Sequence, residues 1–132
     1  MLFYTKKIAQ GLLRLSIALI ITSQAARGAD SCDVELGKKQ YNKCAACHSL
    51  EAGVQMMGPS LHGIVGRQIG SVEGFLYSAT LEQDQGEWTT DSLSKFLENP
   101  MADKPGTTMP FGGLKKPAQR DAVICYIAAQ SK

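Results

Sequence analysis

The feature that most limits what this chain can become is five residues long. Residues 44–48 read Cys-Ala-Ala-Cys-His, in a chain of 132 residues with only 4 Cys and 2 His. Three chemistries use such a cluster: a thiol redox pair, half of a zinc site, or covalent attachment of a haem. A thioredoxin-like pair follows a strand in a βαβ unit, and no strong period-2 run marks a strand here. Zinc needs four ligands, usually as two spaced pairs, and Cys32, His62 and Cys125 form no second pair. Cys-x-x-Cys-His as a c-type haem anchor is the reading that fits. On a helix, positions i and i+3 share one face, so Cys44 and Cys47 can reach both vinyl groups of one haem and form thioethers. His48 follows directly and offers its imidazole to the iron from the same side, and Ala45 and Ala46 leave room for the macrocycle.

The amino-terminal region agrees with that reading. Lys6, Lys7, Arg14 and Arg27 precede any acid, residues 15–22 are a short apolar run, and Ala26-Arg27-Gly28 places small residues around a cleavage point. This is the layout of a secretory signal peptide. We read residues 1–28 as the leader and residues 29–132 as one domain. A spanning helix needs about 20 apolar residues, and Arg14 interrupts this run. Export also suits periplasmic maturation of a covalent haem. Without the leader, ten Lys and Arg stand against twelve Asp and Glu, a net charge of −2. Nucleic-acid binding therefore has no electrostatic support. The lysines are clustered, at Lys38, Lys39 and Lys43 and again at Lys104, Lys115 and Lys116, while acids fill the middle of the chain. Such separation can steer a partner to one face.

Asp33-Val34-Glu35-Leu36 opens a helix that should run into the Cys cluster, with acids first and lysines later to suit the helix dipole. Residues 49–74 are glycine-rich and aperiodic. A structureless loop that long is uncommon in a compact domain, so it should wrap something. A short helix is expected over 75–82 and a clearer one over 90–99, stopped by Pro100. Residues 101–113 read as loop and 117–130 as the last helix. The class is all-α, with short helices and long loops. About 104 residues arranged this way bury little apolar surface alone, and a large flat apolar cofactor would supply the missing core.

An iron held by His48 raises the question of its other axial ligand. Met56 and Met57 are too near the haem anchor to wrap to its far face. Met109 lies 61 residues beyond His48, in Pro105-Gly106-Thr107-Thr108-Met109-Pro110-Phe111. A methionine in a proline-stiffened loop belongs to no helix stripe, which makes it a poor candidate for simple core filler.

The sequence resembles class I cytochrome c, the mitochondrial-type branch with its bacterial periplasmic relatives. The resemblance runs from about Asp33 to Ala129 and rests on GKKQYNKCAACHSL, GPSLHGIVGR, GFLYS, the lone Trp88, FLENP, PGTTMPFGGLKK and RDAVICYIA. It implies a cytochrome c fold around one covalent haem c, anchored by Cys44 and Cys47. His48 and Met109 would be the axial ligands, and the Pro59 carbonyl would accept the His48 Nδ1 proton. It further implies that Arg67, Tyr77 and Trp88 contact a haem propionate, and that Thr107 sits near the inner one. Gly37, Tyr41, Val123 and Tyr126 would form the crossing of the first and last helices, and His62 would not be a ligand.

The chain departs from the family at three places. Phe96 stands where mitochondrial proteins usually have a tyrosine, Leu81 where they often have an asparagine, and Thr108 where they have a lysine. The first two changes remove polar groups from the Met109 side. The third thins the basic ring. Cys32 and Cys125 are either a disulfide, which an exported protein permits, or one exposed and one buried free thiol. Cys32 is only a few residues into the mature chain, and free thiols are the expectation. The implied function is a monomeric periplasmic one-electron carrier that is not an enzyme. It would meet redox donors and acceptors transiently, without stable membrane insertion, through an edge beside Lys43, Ala45, Phe111 and Lys115.

Overall fold

The computed structural model describes residues 32–130, and the leader read over 1–28 lies outside the described residues. Asp33 caps the first helix, accepting from Leu36 N at 2.9 Å. Helix α1 runs Val34–Tyr41, with Glu35 in its first turn and Lys38 and Lys39 in its last. The expected continuation through the Cys cluster does not form. Lys43 N and Cys44 N bond three residues back, to Gln40 O at 3.1 Å and Tyr41 O at 2.7 Å. Bonds of that spacing tighten the chain into turns, and residues 42–47 are turns rather than helix.

Helix α2 covers only Ala79–Glu82, because Ser78 before it is extended at φ −64° and ψ 150°. Helix α3, Thr90–Glu98, starts from a capping box between Thr89 and Ser92. Pro100 ends α3 as expected. Proline also suits a first helical position, where its missing N–H is no loss, so a further turn, α4 (Pro100–Asp103), forms where the sequence suggested loop. Helix α5 is Pro117–Gln130. The described residues contain no strand beyond an isolated antiparallel bridge between Gln68 and Glu87.

Helices α1 and α5 pack without a gap. A Cβ on Gly37 would collide with the Ala122 carbonyl oxygen and sit 2.6 Å from Tyr126 Cβ. The rings of Tyr41 and Tyr126 are 5.6 Å apart, and Val123 is fully buried. The same packing corrects the reading of Cys32 and Cys125 as free thiols. It brings their Cα atoms to 5.8 Å, and the two are joined as a disulfide across a sequence separation of 93. That spacing lies within the range a bridge needs.

The core is a shell rather than a solid. Eleven apolar residues among those described form one buried cluster, and eight of them (Leu61, Ile64, Trp88, Leu93, Phe96, Leu97, Ile124 and Ile127) also line one cleft. Protein interiors are normally close-packed, with few voids. A core that spends most of its side chains on a hollow is built to hold a guest.

Candidate functional site

The cleft encloses roughly 1340 Å³ of space, part of it open to solvent. Cys44, Cys47, His48, Pro59, Arg67, Tyr77, Trp88 and Met109 all line it, and His62 does not. The eight come from four stretches of chain far apart in sequence, so the fold brings together every site residue expected from the sequence.

The turn after α1 sets the first group. Cys47 N and His48 N both bond to Cys44 O at 2.9 Å, and Gly58 N bonds to Cys47 O at 2.8 Å. Tyr41 Oη donates to His48 O at 2.9 Å. Both thiols are free and half-buried. The His48 ring is tightly framed. Its Nδ1 is 2.8 Å from Pro59 O, which assigns that nitrogen its proton and leaves Nε2 with the lone pair. Any side chain on Gly58 would run into the imidazole. Burial lowers the His48 pKa, opposed by the Pro59 bond, so the neutral, metal-binding form is favoured.

A second group is polar and set into the otherwise apolar wall. Arg67 donates to His62 O at 2.8 Å and Ser60 O at 2.9 Å. Burial pulls its pKa down, against the nearby Tyr77, without discharging a guanidinium. Tyr77 Oη accepts from Val72 N at 3.3 Å, and burial raises its pKa. Next to it, Ser78 Oγ is buried with no hydrogen-bond partner among the described residues. An orphaned hydroxyl is costly, and this one lines the cleft. Sequence reasoning missed both Ser78 and Gly58. The available signals were a hydroxyl directly after Tyr77 and a glycine directly before Pro59.

The third group is the Met109 loop. Thr107, 5% exposed, accepts from Met109 N at 3.4 Å through its hydroxyl. Leu81, Phe96 and Phe111 line the cleft with Met109, so this part of the wall is apolar. Phe96 is itself held against Trp88, with ring centroids 5.0 Å apart.

These features fit a covalent haem. Cys44 and Cys47 would meet its vinyl groups, the neutral His48 imidazole and the Met109 thioether are the donors available to an iron, the apolar shell would take the ring, and Arg67 with the unpartnered Ser78 hydroxyl would receive a carboxylate. No group of three or more His, Cys, Asp or Glu suited to a bare metal ion occurs among the described residues.

Comparison with known proteins gives the same answer. The cytochrome c family model matches residues 34–131. Cytochrome c of Cochliobolus lunatus is 42% identical over 107 residues, covering 80% of this chain and 99% of that protein. Cytochrome c-550 of Nitrobacter winogradskyi is 39% identical, covering 76% and 93%. Among solved structures, cytochrome cH from Methylobacterium extorquens superposes with a TM-score of 0.69 at 33% identity, covering 74% of this chain and 98% of that one. The chain belongs to the cytochrome c family of electron carriers, whose members bind a covalent haem c.

Proposed function

We propose that this chain is a periplasmic one-electron carrier whose iron is held by His48 and Met109, and that it transfers electrons without catalysing a reaction. The observation that carries the reading is the convergence of Cys44, Cys47, His48 and Met109 on one cleft, from segments 61 residues apart. Bound there, a haem iron supplies a one-electron ferrous/ferric couple, and Met/His ligation raises its potential. The protein's own contribution is positional. Pro59 orients the His48 ring, and Gly58 leaves it room. Arg67, Tyr77, Ser78 and Trp88 form the polar corner that would hold a propionate. The apolar shell would keep water from the metal, and His48 and Met109 together would leave no position open for O₂ or peroxide.

The disulfide and the basic, short apolar leader favour an exported protein, since such bonds persist in oxidising compartments. No helix among the described residues is long and apolar enough to cross a membrane. The carrier proposed here meets donors and acceptors briefly, as a monomer, over a small interface. Lys43 and Phe111 line the cleft, and Ala45 and Lys115 are exposed. We assign the exposed edge to that group.

A pyridine-haemochrome spectrum tests the thioether attachment. The ferric protein should show a sulfur-to-iron charge-transfer band in the near infrared. Met109→Ala should abolish that band and open the iron to cyanide and CO. Absence of the band in the wild type, with rapid cyanide or CO binding, would instead indicate a ligand-binding or peroxidase site, and a band that survives the substitution would assign the thioether to another methionine.

A further inference from the structure

The loop carrying Met109 is fastened differently at its two ends. Beyond the methionine the ties are backbone bonds, a buried arginine and the exposed Lys115, whose Nζ donates to Glu98 O at 2.7 Å. Leu114 N donates to Leu97 O at 2.7 Å. Arg120, 7% exposed, donates to Leu114 O at 2.8 Å and Lys115 O at 3.1 Å. Gly113, at φ 92°, lies so close to the Glu98 backbone that a Cβ would not fit.

Before the methionine the long-range ties are side chains from the α2 region. Thr80 Oγ1 donates to Pro105 O at 2.6 Å. Lys104 Nζ meets Asp84 Oδ2 at 2.5 Å. Asp84 is itself fixed, its Oδ1 accepting from Gly86 N at 2.9 Å, and the Lys104 bond holds its carboxyl below the usual range. Three ion pairs occur among the described residues, and in this one alone both partners are shielded, at 22% and 19% exposure. The others stand at 78% and 8%, and at 9% and 54%. Shielding reduces screening by water and salt, which makes most surface pairs weak.

The clasp connects to the methionine through a short path. Thr107 N bonds to Lys104 O at 3.0 Å, and Met109 N bonds to Thr107 Oγ1 at 3.4 Å. Gly106, at φ 92°, leaves room for Thr80, whose Oγ1 would be 2.9 Å from a Cβ there. Ser78 and Leu81 of the α2 region line the same cleft as Thr107 and Met109.

We propose that Thr80, Asp84 and Lys104 are positioning residues for Met109. They clasp the start of its loop to α2 and so set how often the thioether leaves the iron. This rests on the reading of Met109 as an axial ligand. With the clasp open, residues 104–109 are free to swing out while the other end stays anchored.

The test uses exogenous imidazole, which competes with Met109 for the iron in the ferric holoprotein. Its apparent affinity reports the fraction of molecules with the loop open. Asp84→Asn, Lys104→Met and Thr80→Val should each tighten imidazole binding by about five- to tenfold, the size expected of a shielded pair or a good hydrogen bond. The Asp84→Asn/Lys104→Met double variant should be no tighter than either single. In a Met109→Ala background the same changes should do nothing, since no thioether remains to be released. Unchanged affinity in the folded single variants, or equal tightening in the Met109→Ala background, overturns the clasp. Should Asp84→Asn fail to fold, Lys104→Met and Thr80→Val decide alone. Failure of the ligand reading looks different: Met109→Ala itself would then leave imidazole affinity unaltered.

Discussion

The two proposed iron ligands are held by opposite strategies. His48 sits in a frame made almost entirely from residues 41–59: the Tyr41 hydroxyl, the Cys44 carbonyl, Gly58 and the Pro59 carbonyl. Met109 depends on partners much farther along the chain, with its loop tied to Thr80, Asp84 and Glu98 across 17–25 residues. A locally framed ligand is placed as soon as its turn forms. A remotely framed one is placed only when several segments have docked, which makes it the one that opens first. On the proposed ligation both would meet one cofactor, so the weaker frame would set when the site changes.

A third element belongs to neither frame. The Cys32–Cys125 disulfide joins the start of α1 to α5, the scaffold beneath both ligands. Replacing both cysteines by serine releases a cross-link over a separation of 93 residues and should cost about 4.6 kcal/mol on the chain-entropy scale. Because the scaffold is shared, helical signal and the sulfur-to-iron band should fall together in a denaturant titration of the holoprotein. Loss of the band well before the helices would show that the bridge acts on the Met109 side alone.

Gly58→Ala attacks the His48 frame selectively. The added methyl would occupy the imidazole's place, so either the ring or the 58–59 backbone must move. Overpacking of this kind costs about 1–3 kcal/mol, and a stretched Pro59 bond adds to it. The expected result is a lower yield of haem-loaded protein and a destabilisation of about 2–3 kcal/mol by denaturant. The Nδ1 proton of His48 should also lose its hydrogen-bonded NMR shift. A wild-type proton shift would mean that the frame relaxes elsewhere.

The same contrast explains what could be read from the sequence. The Cys44–His48 cluster is local, and its chemistry was legible from five letters. Even there the helix was overextended, because tightening at Lys43 and Cys44 is a three-residue bond choice that periodicity does not reveal. The spans of α3 and α5 were legible, the first from its stop at Pro100 and the second from its start at Pro117. Proline as a stop hid proline as a start, so α4 was missed. Met109 stood out by its prolines, but its companions Arg67, Tyr77 and Trp88 came only from resemblance, since nothing local points them at one cleft. The sequence left the Cys32–Cys125 bridge open as the less expected of two readings, and the Asp84–Lys104 clasp was illegible. Each depends on two segments meeting in three dimensions, and neither segment carries a mark of the other.

The smallest expected effect tests the apolar wall on the Met109 side. Phe96 is 5% exposed, packs on Trp88 and faces the cleft near Leu81. With phenylalanine and leucine there, the wall offers no side-chain hydrogen-bonding atom at either position. An apolar, dry surrounding disfavours the more highly charged oxidised site and so raises the potential. Phe96→Tyr returns one hydroxyl to that wall at almost no change in shape. One hydrogen bond contributes about 1 kcal/mol net, and for a one-electron couple a tenfold change corresponds to about 59 mV. The midpoint potential should therefore fall, by about 40 mV. Thermal stability should barely move, because the packing on Trp88 is retained. A fall in potential without a change in the near-infrared band would place the effect in the surroundings of the sulfur rather than in its bond to iron. A rise would mean that the hydroxyl draws electron density from the thioether more than it solvates the charge, and the apolar wall would then not be what sets the potential.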